Sequence, residues 1–470
     1  MEKQNLITDT HKNNIAVGLD IGTTKIVAIV GRKNEYGKIE ILGMGKAKSV
    51  GVSRGLVNNI IDTTESIKQA VEEAEKSSGY KIDKVVGGIA GQHIRSIQHS
   101  DYISRPNSED VIDYRDLKKL ESQAYSIQVL PGEEIIHVLP QEYKVDSEYT
   151  EKPIGMYGNR LEGNFHMVIG QDTSIKNIAR SVKQAGLELS QLTLEPLASA
   201  AAVLSDEEKE AGVALIDIGG GTTDLAVFKD GIIRHTAVIP LGGKIITDDV
   251  KDACSIIEKQ AEKLKVQFGS AWPGENKENH MISIPGIRGR EPKEISMKNL
   301  SKVIHARLVE IIGMVFNEIK IYGQNNPKKE LLAGIVLTGG GSELKHIKQL
   351  VEYITGMDTR IGYPNEHLAS QSMEELKSPI YATGIGLVMI GLEGGINPMT
   401  GMDEGSTASS NPDIFSEETF VPKQANEEHT EELKMEESEQ SDKESKPKKG
   451  VFQGLGRYFD KVKKFIENAE

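Results

Sequence analysis

Cysteine and tryptophan each occur once in this chain of 470 residues. A lone thiol, Cys254, excludes an intramolecular disulfide and leaves no cysteine pair for a zinc site, so the sequence fits a reducing compartment. Long apolar runs are also missing. No stretch is long and apolar enough to span a bilayer, and the opening residues MEKQNLITDTHKNN hold no apolar core of a signal peptide. Positive charge is in deficit: 56 Lys and Arg face 70 Asp and Glu, a formal net charge of −14. That balance argues against a protein that coats nucleic acid, because phosphate binding needs a basic footprint. Much of the acid lies in residues 401–446, which include EEHTEELKMEESEQSDKES, so the remainder is closer to neutral. The chain reads as cytosolic and globular, and long enough for two or more domains, each with its own core.

What is present, above all, is a repetition. Residues 15–30 read IAVGLDIGTTKIVAIV and residues 213–228 read VALIDIGGGTTDLAVF. Each is an apolar run ending in Asp, then Gly and a Thr pair, then a second apolar run, which predicts a β-hairpin in each half. Glycine lets backbone N–H groups approach an oxyanion closely, and threonine adds a hydroxyl donor, so such a turn can cradle phosphate. Asp20 and Asp217 each close a strand just before the turn, where a carboxylate can hold magnesium or its waters beside a nucleotide. Either turn alone is as readily an ordinary tight hairpin. Two with matched Asp and Thr-Thr point to a duplicated domain with a triphosphate clamped between its halves. A third Gly-rich turn, LTGGGSEL at 337–344, follows an apolar run and suits the adenosine side, although such turns also occur without nucleotide.

Between and after these motifs the pattern is mixed α/β. IIDTTESIKQAVEEAEKSSG has helical spacing with a Gly near its end. From about Lys84 to Gly163, VVGGIAG, a helical DYRDLKKLESQAYSI and a strand-like EIIHVLPQEYKV read as an inserted α+β module. IKNIARSVKQAGL, LTL and PLASA then give helix, strand and helix. TDDVKDACSIIEKQAEKLKVQFG and SKVIHARLVEIIGMVFNEIKIYG each read as an amphipathic helix. From about Ile396 the chain turns Gly-, Ser-, Pro- and Glu-rich and is expected to be disordered. VFQGLGRYFDKVKKFIENA ends it with a stripe at helical spacing: Phe452, Leu455, Tyr458, Phe459, Val462, Phe465 and Ile466, flanked by basic residues.

The three Gly-rich turns in this order resemble the actin, heat-shock chaperone and sugar-kinase superfamily. GLDIGTTKI, VVGGIAGQHI, HVLPQEYKVD, PIGMYGNRLEG, VALIDIGGGTTDLAVF, RHTAVIPLGGKIITDDV, AEKLKVQFG and GIVLTGGGSEL resemble, more closely, the bacterial cell-division FtsA family, from about Asn14 to Leu392 and again at the C-terminal helix. The resemblance implies an actin-like duplicated nucleotide-binding fold. Its parts would be subdomain 1A at 14–84, 165–203 and 379–395, an inserted subdomain 1C at 85–164, subdomain 2A at 204–240 and 312–378, and subdomain 2B at 241–311. A disordered acidic linker at 396–450 and an amphipathic membrane-targeting helix at 451–470 would follow.

Carried over residue by residue, the resemblance implies ATP and Mg2+ as ligands. Gly22, Thr23, Thr24 and Lys25 would lie on one side of the phosphates and Gly219, Gly220, Gly221, Thr222 and Thr223 on the other. Asp20 and Asp217 would sit on the magnesium side, and Gly339, Gly340 and Gly341 by the adenosine. Glu262 and Lys265 match positions at the ribose and adenine, and read equally as a solvated i,i+3 ion pair. Glu195 in LEPLASA resembles a metal- or water-holding Glu; a cap or interdomain hydrogen bond beside Pro196 is the plain alternative. Implied partners are the C-terminal tail of FtsZ, with Arg290 and Arg307 facing its carboxylates, further copies of the chain in a filament, other division proteins and an anionic membrane, with no nucleic acid. Arg307 also reads as a simple partner of Glu310. The implied role is an adaptor on the cytoplasmic side of the membrane at the septum, with slow ATP hydrolysis at most. A small-molecule kinase is the competing reading, and it would need a carboxylate to deprotonate an acceptor hydroxyl.

Overall fold

The computed structural model describes residues 15–105, 110–275, 280–286, 291–323, 330–364, 367–369 and 374–394. β1 (Ile15–Ile21) and β2 (Lys25–Lys33) pair antiparallel around the first Gly-Thr turn, with Asp20 opposite Val27. β3 (Ile39–Lys48) extends the meander, its side chains alternating between buried and more exposed as one covered face requires. A small hairpin of β4 (Val52–Ser53) and β5 (Leu56–Val57) leads into α1 (Ile60–Ser78). Asn59 caps this helix by accepting the N–H groups of Ile61 and Asp62, and Gly79 ends it in the left-handed region at φ 74°. Gly45 allows α1 to lie directly on β3, since a Cβ there would overlap the Ala70 carbonyl. β6 (Lys84–Ile89) returns parallel to β1.

A separate four-stranded sheet then branches off, built from β7 (Arg95–Ser104), α2 (Tyr114–Tyr125), β8 (Glu133–Val145), β9 (Glu148–Thr150) and β10 (Arg160–Gln171) in strand order β7-β10-β8-β9. It has its own core, in which Leu117 and Leu120 of α2 meet Phe165 and Met167 of β10. The chain rejoins the first sheet through α3 (Asp172–Gln184), β11 (Glu188–Leu194) and α4 (Glu195–Val203), followed by the short α5 (Asp206–Ala211).

One expectation is corrected here. Residues 85–89 were expected in the insert, yet β6 lies between β1 and β11 in the first sheet. Val85 to Ile89 are buried throughout, as in a parallel strand covered on both faces, and such a run carries no periodicity that separates it from its neighbours. At the far end, β10 keeps residues 165–171 in the insert sheet, past the expected limit at 164.

The second half repeats the first. β12 (Val213–Ile218), β13 (Thr223–Lys229) and β14 (Ile232–Ile239) form a meander; α6 (Gly243–Cys254), α7 (Glu258–Phe268), the β15 (Met281–Ile284) and β16 (Lys293–Ser296) hairpin and α8 (Met297–Tyr322) follow. β17 (Ile335–Thr338), α9 (Ile347–Thr355) and β18 (Thr359–Ile361) complete the sheet, ordered β14-β13-β12-β17-β18. The first sheet is ordered β3-β2-β1-β6-β11, so the two have the same plan: an antiparallel meander, then two parallel strands beside its first member.

The stretch expected as one helix over residues 247–269 is two, α6 and α7, broken at Ser255, which takes φ 48°. The Ser255 and Ile256 N–H groups turn back onto the Asp252 and Lys251 carbonyls, a C-terminal cap that stops the first helix. Last, α10 (Ala382–Leu392) is apolar on nearly all sides and buried against α4 and β1, with Gly386 on the Ala198 carbonyl. It brings the chain back to the first sheet.

Candidate functional site

The two Gly-Thr turns meet. A Cβ on Gly220 would collide with the Thr24 side chain, and one on Gly221 with Thr23 Oγ1, so glycine is required where the halves touch. The carboxylates that precede the turns, Asp20 and Asp217, are buried. The third turn closes on the same point. Gly339, at φ 78°, lies so close to Asp217 that a Cβ would strike Asp217 Oδ1, and Gly341 packs on Ile218. Asp217 is held by the Ser199 hydroxyl, which donates over 2.7 Å, and by the Thr383 hydroxyl at 3.3 Å. Gly340 is part of this turn and faces Ile380.

Four carboxyl groups gather here, and their electrostatics follow from burial. Desolvation raises Asp20 to about 6, against the attraction of Lys25 and with added repulsion from Asp217. Desolvation also raises Asp217, opposed by its two hydroxyl donors and Lys25. Asp224 is pushed up to about 7 by desolvation and then by Asp217, which it faces across the hairpin. Glu195, first residue of α4, stands well above the usual carboxylate range for the same reason, with Asp20, Asp224 and Asp217 adding to it. Lys25 answers this charge only in part. Burial lowers it to about 8, and its ammonium donates to the Ile380 carbonyl at 2.8 Å beneath the Tyr381 ring. Among the described residues no three of His, Cys, Asp and Glu form a ready ligand set for a bare metal ion.

The threonine hydroxyls are less free than the motif implies. Thr222 donates to Asp224 at 2.8 Å, Thr223 donates to the Leu241 carbonyl at 2.8 Å, and Thr23 Oγ1 accepts the Gly55 N–H at 3.2 Å. The second turn is braced from behind, since the Gly243 and Lys244 N–H groups at the start of α6 donate to the Gly219 and Gly220 carbonyls. Glu262 and Lys265 do pair, at 2.8 Å, but the pair is not simply solvated: Lys265 is buried and also donates to Gly243 O and Thr247 Oγ1, each at 2.8 Å.

Away from the turns, Arg307 of α8 forms a fork on Asp249, with bonds of 2.6 and 3.0 Å, and also bonds Glu310. Arg290, the linker and the C-terminal stripe lie outside the described residues. Sequence reasoning missed Asp224, Ser199 and Thr383. For Asp224 a signal existed: a hairpin that pairs Ile218 with Thr223 must pair Asp217 with Asp224, where the first half has Val27. Ser199 and Thr383 reach Asp217 from distant segments, and nothing local marks them.

Two sheets of one plan, touching through turns that each carry a buried carboxylate and joined by helices at that point, define an actin-like α/β fold with an inserted α+β unit. A solved structure of the PilM-PilN type IV pilus biogenesis complex shares the fold, with a TM-score of 0.57 at 17% identity, covering 80% of this chain and 98% of that one. The chain belongs to the FtsA family of cell division proteins. The family model described as cell division protein FtsA matches residues 214–386, and the model of the SHS2 domain inserted in FtsA matches residues 91–169. The cell division protein FtsA of Pseudomonas aeruginosa is 36% identical over 405 residues, 86% of this chain and 95% of that protein. The Neisseria meningitidis protein is 38% identical over 371 residues (79% and 88%), and the Escherichia coli protein 32% over 400 residues (84% and 94%). These relatives lend no support to the kinase reading.

Proposed function

We propose that the chain binds ATP with magnesium where the two sheets meet, and that in this state it assembles into polymers that tie FtsZ filaments to the cytoplasmic face of the membrane at the septum. The observation that supports the nucleotide reading most is the direct contact between the turns at Gly220–Thr24 and Gly221–Thr23, with Asp20 and Asp217 buried behind them. Backbone N–H groups of residues 22–24, 220 and 221 would take the phosphates, while the Gly219 N–H closes the second turn on the Thr222 carbonyl; Gly339 to Gly341 would lie on the adenosine side, and Glu262 and Lys265 at the ribose and base. Magnesium keeps several waters and needs only one or two carboxylates. Asp20 and Asp217 fit that demand, and the raised proton affinity of both marks a site short of positive charge. The ion would neutralise charge on the phosphates. Glu195 would orient a water; burial and the neighbouring carboxyl groups raise its proton affinity, so less of it is ionised and free to accept a proton, which accords with slow turnover.

The partner side of the reading rests on family membership. Arg290 and Arg307 would receive the carboxylates of the FtsZ tail, which at Arg307 must compete with Asp249 and Glu310. The insert would contact the next copy in a polymer, the C-terminal stripe would lie in the lipid interface, and other division proteins would join the assembly.

The test is titration calorimetry of Mg-ATP into the parent and Asp217→Ala proteins. Loss of this carboxylate is expected to weaken binding by about tenfold or more, as for removal of a charge-assisted contact. Unchanged affinity would refute the assignment.

A further inference from the structure

The β4–β5 hairpin was not part of the sequence reading, and it stands at the junction of the two phosphate turns. Its tip is Arg54-Gly55, with φ 51° and 75°, the pair of left-handed residues that makes a type I′ turn. Asn or Gly ordinarily takes the first of these positions, because a longer side chain is strained there. The turn is wedged tightly in place. The Gly55 N–H donates to Thr23 Oγ1 of the first phosphate turn at 3.2 Å. A Cβ on Gly221 of the second phosphate turn would come within 3.0 Å of Arg54 Cα, and one on Gly91 within 3.1 Å of the Arg54 carbonyl. A strained, unusual residue at a point where three backbone segments converge is a sign of a functional constraint.

The charge of Arg54 has no use inside the protein. Its side chain is exposed and makes no hydrogen bond or ion pair with another described residue. Three other cations near the turns are committed: Lys25 to the Ile380 carbonyl, Lys244 to Glu258 at 2.7 Å, and Lys265 to Gly243 O, Thr247 and Glu262; exposed Lys48, opposite Lys25 on β3, makes no such bond with another described residue. The carboxyl groups of Asp20, Asp217, Asp224 and Glu195 outnumber the one cation among them, Lys25, so a triphosphate entering the site brings negative charge to an acidic place. Arg54 stands with its Cα at the contact of the two turns, and its long, uncommitted side chain ends in a guanidinium whose bidentate fork matches the oxygens of a terminal phosphate.

We propose that Arg54 binds the terminal phosphate of the nucleoside triphosphate, so that the β4–β5 turn distinguishes triphosphate from diphosphate. This inference rests on the nucleotide reading above. Arg54→Asn tests it well, because Asn suits a type I′ turn better than Arg and the variant should melt no lower than the parent. Calorimetry should show Mg-ATP binding weakened by about ten- to a hundredfold, Mg-ADP binding changed by less than about twofold, and Arg54→Lys intermediate for ATP. Equal ATP affinity in parent and Arg54→Asn, or an equal loss for ATP and ADP, would overturn the proposal. A parent protein that binds neither nucleotide would instead overturn the reading on which it rests.

Discussion

Asp224 carries a charge that the site compensates only in part. Its Oδ2 accepts from Thr222, its Oδ1 is buried without a partner, and Asp217 stands opposite. Held at about 7 against an ordinary 3.8, it keeps a proton in the folded state that the unfolded chain releases. Its contribution therefore favours folding below the ordinary value and is lost as pH rises through about 7; Asp20, raised to about 6, acts with the same sign. His93, His137 and His166, each lowered to about 4 with desolvation as the first cause, act the other way, losing their contribution as pH falls from 6.5 towards 4. A substitution isolates one term from the sum. Without nucleotide, Asp224→Asn should stabilise the protein by on the order of 2–4 kcal/mol at about pH 8 and by less at about pH 5, read by denaturant unfolding. A gain that does not depend on pH would show that burial does not tax this charge.

At the scale of elements, the insert joins the body through Ile136, Leu139 and Val168, which pack into the core of the first sheet, and through specific hydrogen bonds. His137 of β8 accepts the Leu194 N–H at the start of α4 at 3.0 Å, His166 of β10 meets Thr236 of β14 at 3.1 Å, and Gln141 donates to the Ile233 carbonyl. The chain enters on β7 and leaves on β10, paired at Arg95 and Ile169, so these ends lie about 5 Å apart. Removing residues 96–168 and closing the gap with a short Gly-Ser link should leave both large sheets and Mg-ATP binding in place, while abolishing polymers on lipid seen by electron microscopy. Polymers formed by this protein would move the assembly contact elsewhere. Excision at the sequence-read limits of 85–164 should give no folded protein, because it takes β6 from between β1 and β11.

For the whole molecule, the proposed link between assembly and the membrane depends on residues 451–470, read from sequence alone. Val451, Phe452, Leu455, Tyr458, Phe459, Val462, Phe465 and Ile466 recur at three- and four-residue steps. Eight partly buried apolar side chains contribute roughly 4–8 kcal/mol before the helix is ordered. One copy would then bind lipid weakly and reversibly, and a polymer tightly through many such helices. Phe459→Glu should release the protein from anionic liposomes in co-sedimentation and leave Mg-ATP affinity as it was; continued co-sedimentation would refute the tether.

The sequence by itself determined the hairpins, the Asp before each Gly-Thr turn, the cap of α1 at Gly79 and the family, because strand alternation, turn chemistry and motif order are local properties of the chain. The tertiary structure alone decided that residues 84–89 join the first sheet, that Thr222 and Thr223 spend their hydroxyls inside the protein, and that Ser199 and Thr383 hold Asp217. It also decided that Arg54 stands between the two turns. Thr383 and Asp217 are 166 positions apart, and Arg54 and Gly221 are one position farther still. Contacts at such separation leave no period in the sequence; they arise only when two similar sheets close on each other and bring their turns together.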